Sequence, residues 1–184
     1  MKLKNSVLSS QFSPFIALLL LSFFSRIIIA YSFGDHYIEN EWKTIVDSLF
    51  YNQSYTFYDF HGHRLPCVFM PPMYPFFLYS IKIITFGKIN FANSVIFIQV
   101  ILSTYSVYLF YKINKKIFSN KLSLINSFIF SFFPLNLYAA GQISSVSFQL
   151  FFSLLFIAYL MSLLDQQSKK NTILFSLASA ILIL

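Results

Sequence analysis

The sequence predicts an all-α integral membrane protein, a multi-pass helical bundle with two helices lying on the outer membrane face in its first loop. Hydrophobic residues make up 57% of the 184 residues and charged residues only 10%, whereas soluble domains carry about a quarter charged residues. Several apolar runs are nearly free of charge over the roughly 20 residues that a spanning helix needs. The lysines lie in short clusters beside these runs, which is typical of topology signals and not of a nucleic-acid-binding patch.

Five spanning helices are predicted from the apolar runs. Their approximate ranges are 12–31, 90–111, 122–140, 144–164 and 172–184. The fifth covers only about 13 residues, or about 20 Å of helix, and a bilayer core is about 30 Å thick. We therefore expect residues 1–184 to be the N-terminal part of one larger membrane domain, with a C-terminal remainder missing and with no activity of their own.

The lysine clusters predict the orientation of the chain through the positive-inside rule. All of them are cytoplasmic if the N-terminus is cytoplasmic and Met73–Phe86 does not cross the membrane. They are Lys2 and Lys4, the cluster Lys112, Lys115, Lys116 and Lys121, and Lys169 with Lys170. We therefore predict that Met73–Phe86 is an interfacial helix and that residues 32–89 form one long outer loop. The composition is typical of an AT-rich bacterial genome, so the predicted location is a bacterial plasma (inner) membrane.

The predicted outer loop holds most of the reactive side chains of the chain. It contains five of the six acidic residues and all three histidines. Apolar residues recur at helical spacing from Ile38 to Leu49, so an amphipathic helix is predicted that starts near Gly34 and ends at Asn52. A turn-rich stretch then leads to Pro71-Pro72, which imposes an extended entry into the second interfacial helix.

The motifs of the chain follow one another in a distinctive order. A first helix precedes Gly34-Asp35, an amphipathic helix, the motif Phe69-Met70-Pro71-Pro72-Met73-Tyr74-Pro75, a Phe86-Gly87 stop, and a helix ending in the basic turn Lys112–Lys121. This order resembles the C-type-fold (GT-C) membrane glycosyltransferases, in the bacterial branch related to protein O-mannosyltransferases, aminoarabinose transferases and lipopolysaccharide-core glycosyltransferases. The resemblance covers essentially the whole chain and implies a GT-C-like fold.

The resemblance also implies a reaction. A sugar would move from a polyprenyl-phosphate-linked donor to an acceptor hydroxyl of a lipid, polysaccharide or protein on the outer face of the membrane. Asp35 would be the general base. Because the family commonly has an Asp-Glu pair where this chain has Asp35-His36, a second carboxylate would come from Glu39 or Glu41, or would be absent. The alternative is a non-catalytic envelope protein, such as a carrier or flippase for lipid-linked sugars.

Substrate-binding candidates follow from the charge of the leaving lipid phosphate. Positive charge must stabilise that phosphate, and Arg26 and Arg64 are candidates because a guanidinium binds phosphate bidentately. Under the resemblance, Pro72 and Tyr74 of the proline motif also belong to the substrate site. The implied partners are the lipid-linked donor and membrane lipids, and no nucleic acid is expected.

A divalent metal ion is a further candidate for the positive charge. Its candidate ligands are Asp35, His61 and His63, with Asp59 nearby in the loop. These are ligand types that divalent metals accept. A polar loop without metal is the ordinary alternative for such a segment.

Each remaining candidate has a structural alternative. Asp35 would serve only as the N-cap of the amphipathic helix if its carboxylate accepts hydrogen bonds from free backbone N–H groups. Glu39 and Glu41 also fit a solvated helix face. Arg26, near the outer end of the first helix, fits a side chain that extends along the helix to the membrane surface.

Overall fold

A computed structural model gives the fold for residues 3–58, 62–67, 70–85 and 90–183. Within these ranges, side chains are described from Pro14 onwards, except at residues 40, 58 and 183. This part of the chain contains eight helices and one short antiparallel sheet. They are α1 (Leu3–Phe33), α2 (Asn40–Asn52), β1 (Thr56–Tyr58), β2 (Arg64–Pro66), α3 (Met73–Ile84), α4 (Phe91–Ile117), α5 (Asn120–Ser131), α6 (Pro134–Gly141), α7 (Ser145–Asp165) and α8 (Lys169–Ile183).

Three helices within the described residues are long and apolar enough to cross a membrane. They are α4, α7 and the part of α1 from Pro14 to Phe33. Helices α5 and α6 pass the same test as a pair, with a 52° bend between them, so the number of spans is up to four. The prediction of a helical membrane protein is therefore confirmed, and the observed helices overlap all five predicted spans.

The predicted continuous helix over residues 122–140 is wrong, because the chain bends between α5 and α6. Pro134, the first residue of α6, has no N–H to donate to the preceding turn and its ring cannot follow a straight helix. The carbonyl groups freed at the break find side-chain donors. Asn136 Nδ2 donates to the Phe130 carbonyl at 3.2 Å, and Arg26 Nη2 donates to the Ser131 carbonyl at 3.2 Å. Satisfying these carbonyls allows a broken helix to persist away from water.

Arg26 lies inside the bundle and not at the membrane surface. Its exposed fraction is 0%. Nε donates to Ser103 Oγ at 2.8 Å, Nη1 donates to the Ser22 carbonyl at 3.1 Å, and both terminal nitrogens face Ser131. The prediction that Arg26 extends to the surface is therefore wrong, since hydroxyl and carbonyl oxygens on three helices hold its guanidinium.

Helices α2 and α3 form a pair beside the spanning helices. The predicted amphipathic helix is present as α2, although it begins at Asn40, several residues after the predicted start. Its apolar residues Ile45, Val46 and Leu49 are buried. Lys82 of α3 forms an ion pair with Asp47 of α2.

Met73–Phe86 was predicted not to cross the membrane, and the length of α3 agrees with this prediction. This helix has 12 residues, which is about 18 Å of helix against a bilayer core of about 30 Å. Its buried residues include Tyr74 and Leu78, which join the main apolar core with Val95 and Phe148. The predicted end of the segment at Phe86 lies outside the described residues.

Strands β1 and β2 were not predicted, and they correct the purely helical expectation for the loop. They pair antiparallel with Thr56 opposite Pro66 and Tyr58 opposite Arg64. After β2, the Cys67 N–H donates to the Tyr55 carbonyl at 3.1 Å. Strands of three residues are too short to show the alternation that identifies a strand in sequence.

Candidate functional site

The end of α1 is joined by hydrogen bonds to the connection between α6 and α7. Gln142 Nε2 donates to the Phe33 carbonyl at 2.8 Å, and the Asp35 N–H donates to the Gly141 carbonyl at 3.0 Å. The Ile143 N–H donates to Asp35 Oδ2 at 2.7 Å. Asp35 is therefore fixed through both its backbone and its side chain.

Two glycines allow this close approach of α1 and α6. A Cβ on Gly34 would lie 2.1 Å from the Ala30 carbonyl oxygen and 2.9 Å from the Gly141 carbonyl oxygen. A Cβ on Gly141 would lie 3.0 Å from the Ala30 Cα. Since these neighbours are backbone atoms, neither position accepts a side chain without a shift of the chain.

Helix α4 supports the same connection through one buried amide. Gln99 is 0% exposed, and its Nε2 donates to the Ser144 carbonyl at 2.9 Å. Gln99 was not among the residues predicted from the sequence. The available signal was a single amide within the uncharged run Ser94–Tyr111, and buried polar groups in spanning helices usually have a partner.

Tyr74 lies next to Asp35 and Gln99. Its exposed fraction is 3%, and its ring contacts Trp42 edge to face at a centroid distance of 4.9 Å. Burial raises the pKa of the Tyr74 hydroxyl, the charge of Asp35 raises that pKa further, and the Gln99 side chain acts in the opposite direction. Within the described residues, the Tyr74 hydroxyl and Gln99 Oε1 are buried without a partner at hydrogen-bonding geometry. The Tyr74 hydroxyl thus stays protonated and can donate.

A cavity of about 340 Å³ surrounds the start of α2, and Asp35, His36, Glu39 and Trp42 line it. Trp42 also lines a second cavity of about 350 Å³, which extends between α2, α3, α7 and α8. His36 lines a third cavity of about 270 Å³ together with Lys43. The cavity that Asp35 lines therefore shares Trp42 with the second cavity and His36 with the third.

The structure separates the predicted carboxylates. Asp35 does not cap α2, because that helix begins at Asn40 with Glu39 at the N-cap position. The capping interpretation of Asp35 is therefore wrong. Glu39 lines the same cavity as Asp35, whereas Glu41 is exposed on α2 and does not line it.

The predicted phosphate ligands are not brought to Asp35. The N–H groups of Arg26 bind serine residues inside the bundle. Arg64 Nη2 donates to Asn52 Oδ1 at 3.2 Å, at the far end of α2 from Trp42. Ten residues of helix separate Trp42 from Asn52, which corresponds to about 15 Å. Pro72 is the N-cap residue of α3 and thereby places Tyr74 in the first turn.

The candidate metal ligands are only partly described. Asp59 and His61 lie outside the described residues, and His63 is exposed just before β2. Within the described residues, no group of three or more His, Cys, Asp or Glu side chains is placed to hold a metal ion. Asp35 and His63 therefore do not form a metal site with the other described residues.

Comparisons with protein-family models, curated proteins and solved structures found no match to this chain. Its function must therefore be inferred from its own residues and their geometry. The Asp35 carboxylate, held at the junction of α1, α6 and α7, is the strongest feature for that inference.

Proposed function

We propose that this protein is a membrane glycosyltransferase with a GT-C-like fold, which moves a sugar from a polyprenyl-phosphate donor to an acceptor hydroxyl on the outer face of the plasma membrane. One observation carries the proposal. The Asp35 carboxylate is anchored by the Ile143 N–H at 2.7 Å and faces a cavity. A carboxylate held rigidly in a cavity is suited to general-base catalysis.

In the proposed reaction, Asp35 removes the proton from the acceptor hydroxyl. Oδ2 accepts the hydrogen bond from Ile143, which leaves Oδ1 to receive this proton. The acceptor oxygen forms a bond to the anomeric carbon, and the bond from that carbon to the phosphate oxygen breaks. The electron pair leaves with the lipid phosphate, and the configuration at the anomeric carbon inverts.

The positive charge for the leaving phosphate comes from Lys43 in this proposal. Lys43 and His36 line the third cavity, which shares His36 with the Asp35 cavity. Electrostatic stabilisation of a developing charge requires a cation close to that charge. Lys43 meets this condition better than Arg26 or Arg64, because Arg26 is engaged by serines and Arg64 lies at the other end of α2.

A carrier or flippase for lipid-linked sugars is the second candidate function, and the break between α5 and α6 favours it. Carriers commonly use discontinuous helices and buried charges around a central site. The 52° bend and the buried Arg26 are features of this kind. The two functions differ in covalent chemistry, since only the transferase forms a new glycosidic bond.

The test uses the full-length protein in lipid vesicles with a radiolabelled polyprenyl-phosphate sugar. Transfer of label to glycolipid, polysaccharide or protein acceptors is measured together with movement of the donor across the bilayer. Asp35→Asn should lower transfer by about a hundredfold or more, because positioned proton transfer contributes roughly 10²–10⁴. The matched control is Asp165→Asn, which removes an exposed carboxylate on α7. Movement of the donor across the bilayer without transfer of its sugar would favour the carrier function over the transferase function.

A further inference from the structure

We infer that the cavity between α2, α3, α7 and α8 binds the acceptor, and that this acceptor is an uncharged amphiphile with a free hydroxyl group. The inference rests on the proposed function and names the substrate class of the same site. It is carried by the mixed apolar and polar lining of the second cavity, by the lack of charged groups in that lining and by the position of Trp42 between the two cavities.

The cavity lining has an apolar part and a polar part. Phe148, Phe152 and Ile181 provide apolar surface, and Ser145, Gln149 and Ser153 provide hydroxyl and amide groups. A ligand that fills both parts must itself carry an apolar segment and hydrogen-bonding groups. The cavity volume of about 350 Å³ lies within the range of small-molecule sites, which is about 300–1,000 Å³.

The cavity is electrically neutral. The described residues that line it include no lysine, arginine, histidine, aspartate or glutamate. A phosphate placed there would lose its hydration without gaining a cationic partner, which is costly. The phosphate of the donor therefore belongs on the Lys43 side of Asp35, and the neutral cavity is left to the acceptor.

Trp42 and three polar side chains give the neutral cavity the chemistry of a hydroxyl-binding site. The ring of Tyr74 lines the cavity, whereas its hydroxyl is fully buried beside Gln99 and Asp35. The hydrogen-bonding groups that a ligand meets are therefore those of Ser145, Gln149 and Ser153. Trp42 lines both this cavity and the Asp35 cavity, so a ligand bound here lies beside the proposed base.

Trp42 is the single tryptophan of residues 1–184, so its fluorescence reports on this site when any tryptophan elsewhere in the full-length protein is replaced by phenylalanine. The experiment uses the full-length protein in lipid nanodiscs free of glycoside detergents. The probe is octyl β-glucoside, added below its critical micelle concentration, with octyl phosphate and free glucose as comparison ligands. We expect a saturable change in Trp42 emission with octyl glucoside, and at least tenfold weaker binding of octyl phosphate and of glucose.

Two variants test the location. Ser153→Leu fills the cavity and should weaken octyl glucoside binding at least tenfold, whereas Ser162→Leu, the same replacement further along α7, should leave binding unchanged. Ser153→Ala removes one hydroxyl of the cavity lining without filling the cavity, and it should weaken glucoside binding severalfold while leaving octyl phosphate binding unaffected. If Ser153→Leu fails to fold, the Ser153→Ala comparison alone decides.

The result that would overturn the inference is equal binding of octyl phosphate and octyl glucoside, or no saturable response to the glucoside. Equal binding would show that the cavity recognises only the octyl chain of the two ligands and not their head groups. This binding measurement needs neither a donor nor turnover. Suppose that octyl glucoside binds saturably and more tightly than octyl phosphate, but that no sugar transfer is observed. The proposed function would then be rejected, and the binding site for an uncharged amphiphile would still stand.

Discussion

The backbone N–H of Ile143 donates to the carboxylate of Asp35 at 2.7 Å, across 108 positions of sequence. This contact joins the end of the first spanning helix to the residue just before the N-cap of α7. A carboxylate is stabilised at the start of a helix, where backbone N–H groups point outward. Asp35 therefore has an anchoring role that is separable from its proposed role as a base.

The first prediction separates these two roles by stability. Asp35→Asn keeps an oxygen that accepts the Ile143 N–H, so the melting temperature should stay within a few degrees of wild type. Asp35→Ala removes that acceptor and should destabilise the protein by about 1–3 kcal/mol. Thermal unfolding in one detergent measures both variants. Equal loss of stability in the two variants would show that the charge, and not the acceptor oxygen, holds the connection.

The second prediction concerns the contact between α1 and α6. Gly34→Ala places a methyl group 2.1 Å from the Ala30 carbonyl oxygen, so the backbone at Asp35 must move, at a cost of about 1–3 kcal/mol. Melting temperature and transfer activity should both fall. Ser32→Ala, an exposed change two residues earlier, serves as the control and should alter neither. Normal stability of Gly34→Ala would mean that the two helices can separate freely.

The third prediction concerns the buried guanidinium. Arg26→Met leaves the Ser131 carbonyl at the helix break without its donor, and an unsatisfied buried carbonyl costs about 1–3 kcal/mol. We expect lower thermal stability for Arg26→Met and a smaller loss for Arg26→Lys, which keeps an ammonium donor. Lys112→Met is the control for loss of an exposed positive charge. A more stable Arg26→Met protein would show that the desolvation of the charge outweighs its hydrogen bonds.

The fourth prediction tests the orientation derived from the lysine clusters. With Cys67 replaced by Ala, a cysteine at Lys115 should be protected from an impermeant thiol reagent in intact cells, because the basic end of α4 is predicted to be cytoplasmic. A cysteine at the exposed Tyr51 should react, since the first loop is predicted to lie outside. Labelling at position 115 with protection at position 51 would show that the topology is the opposite of the predicted one.

Local signals were sufficient to predict most helices but not the break between α5 and α6. Apolar length identified the spans, and periodicity identified α2 although not its first residue. Pro134 was a visible signal for the break. It was not decisive, because spanning helices tolerate proline when neighbouring groups satisfy the freed carbonyls. Here the donors are Asn136 and Arg26, and only the tertiary structure shows that Arg26 reaches that turn.

The candidate site depends on contacts between residues that are far apart along the chain, and a single sequence does not reveal such contacts. The position of Asp35 after the first spanning helix was apparent, but its partner Ile143 is a backbone group of an apolar residue with no chemical signal. Gln99 acts through a backbone carbonyl as well. Arg26 turns inward because serines on α1, α4 and α5 coincide in space, and their spacing within each helix does not indicate this.

The hydrogen bonds of Arg26 also constrain the order of events during membrane insertion. Helix α1 is synthesised first, whereas Ser131 follows Arg26 by 105 residues. Until Ser131 is synthesised, the guanidinium lies in the insertion machinery or in lipid, at a cost of about 2.5–3.5 kcal/mol on insertion scales. The strongly apolar residues around Arg26 offset this penalty. Biogenesis of this protein therefore includes an interval in which its first helix carries a charge whose partners on α4 and α5 have not yet been translated.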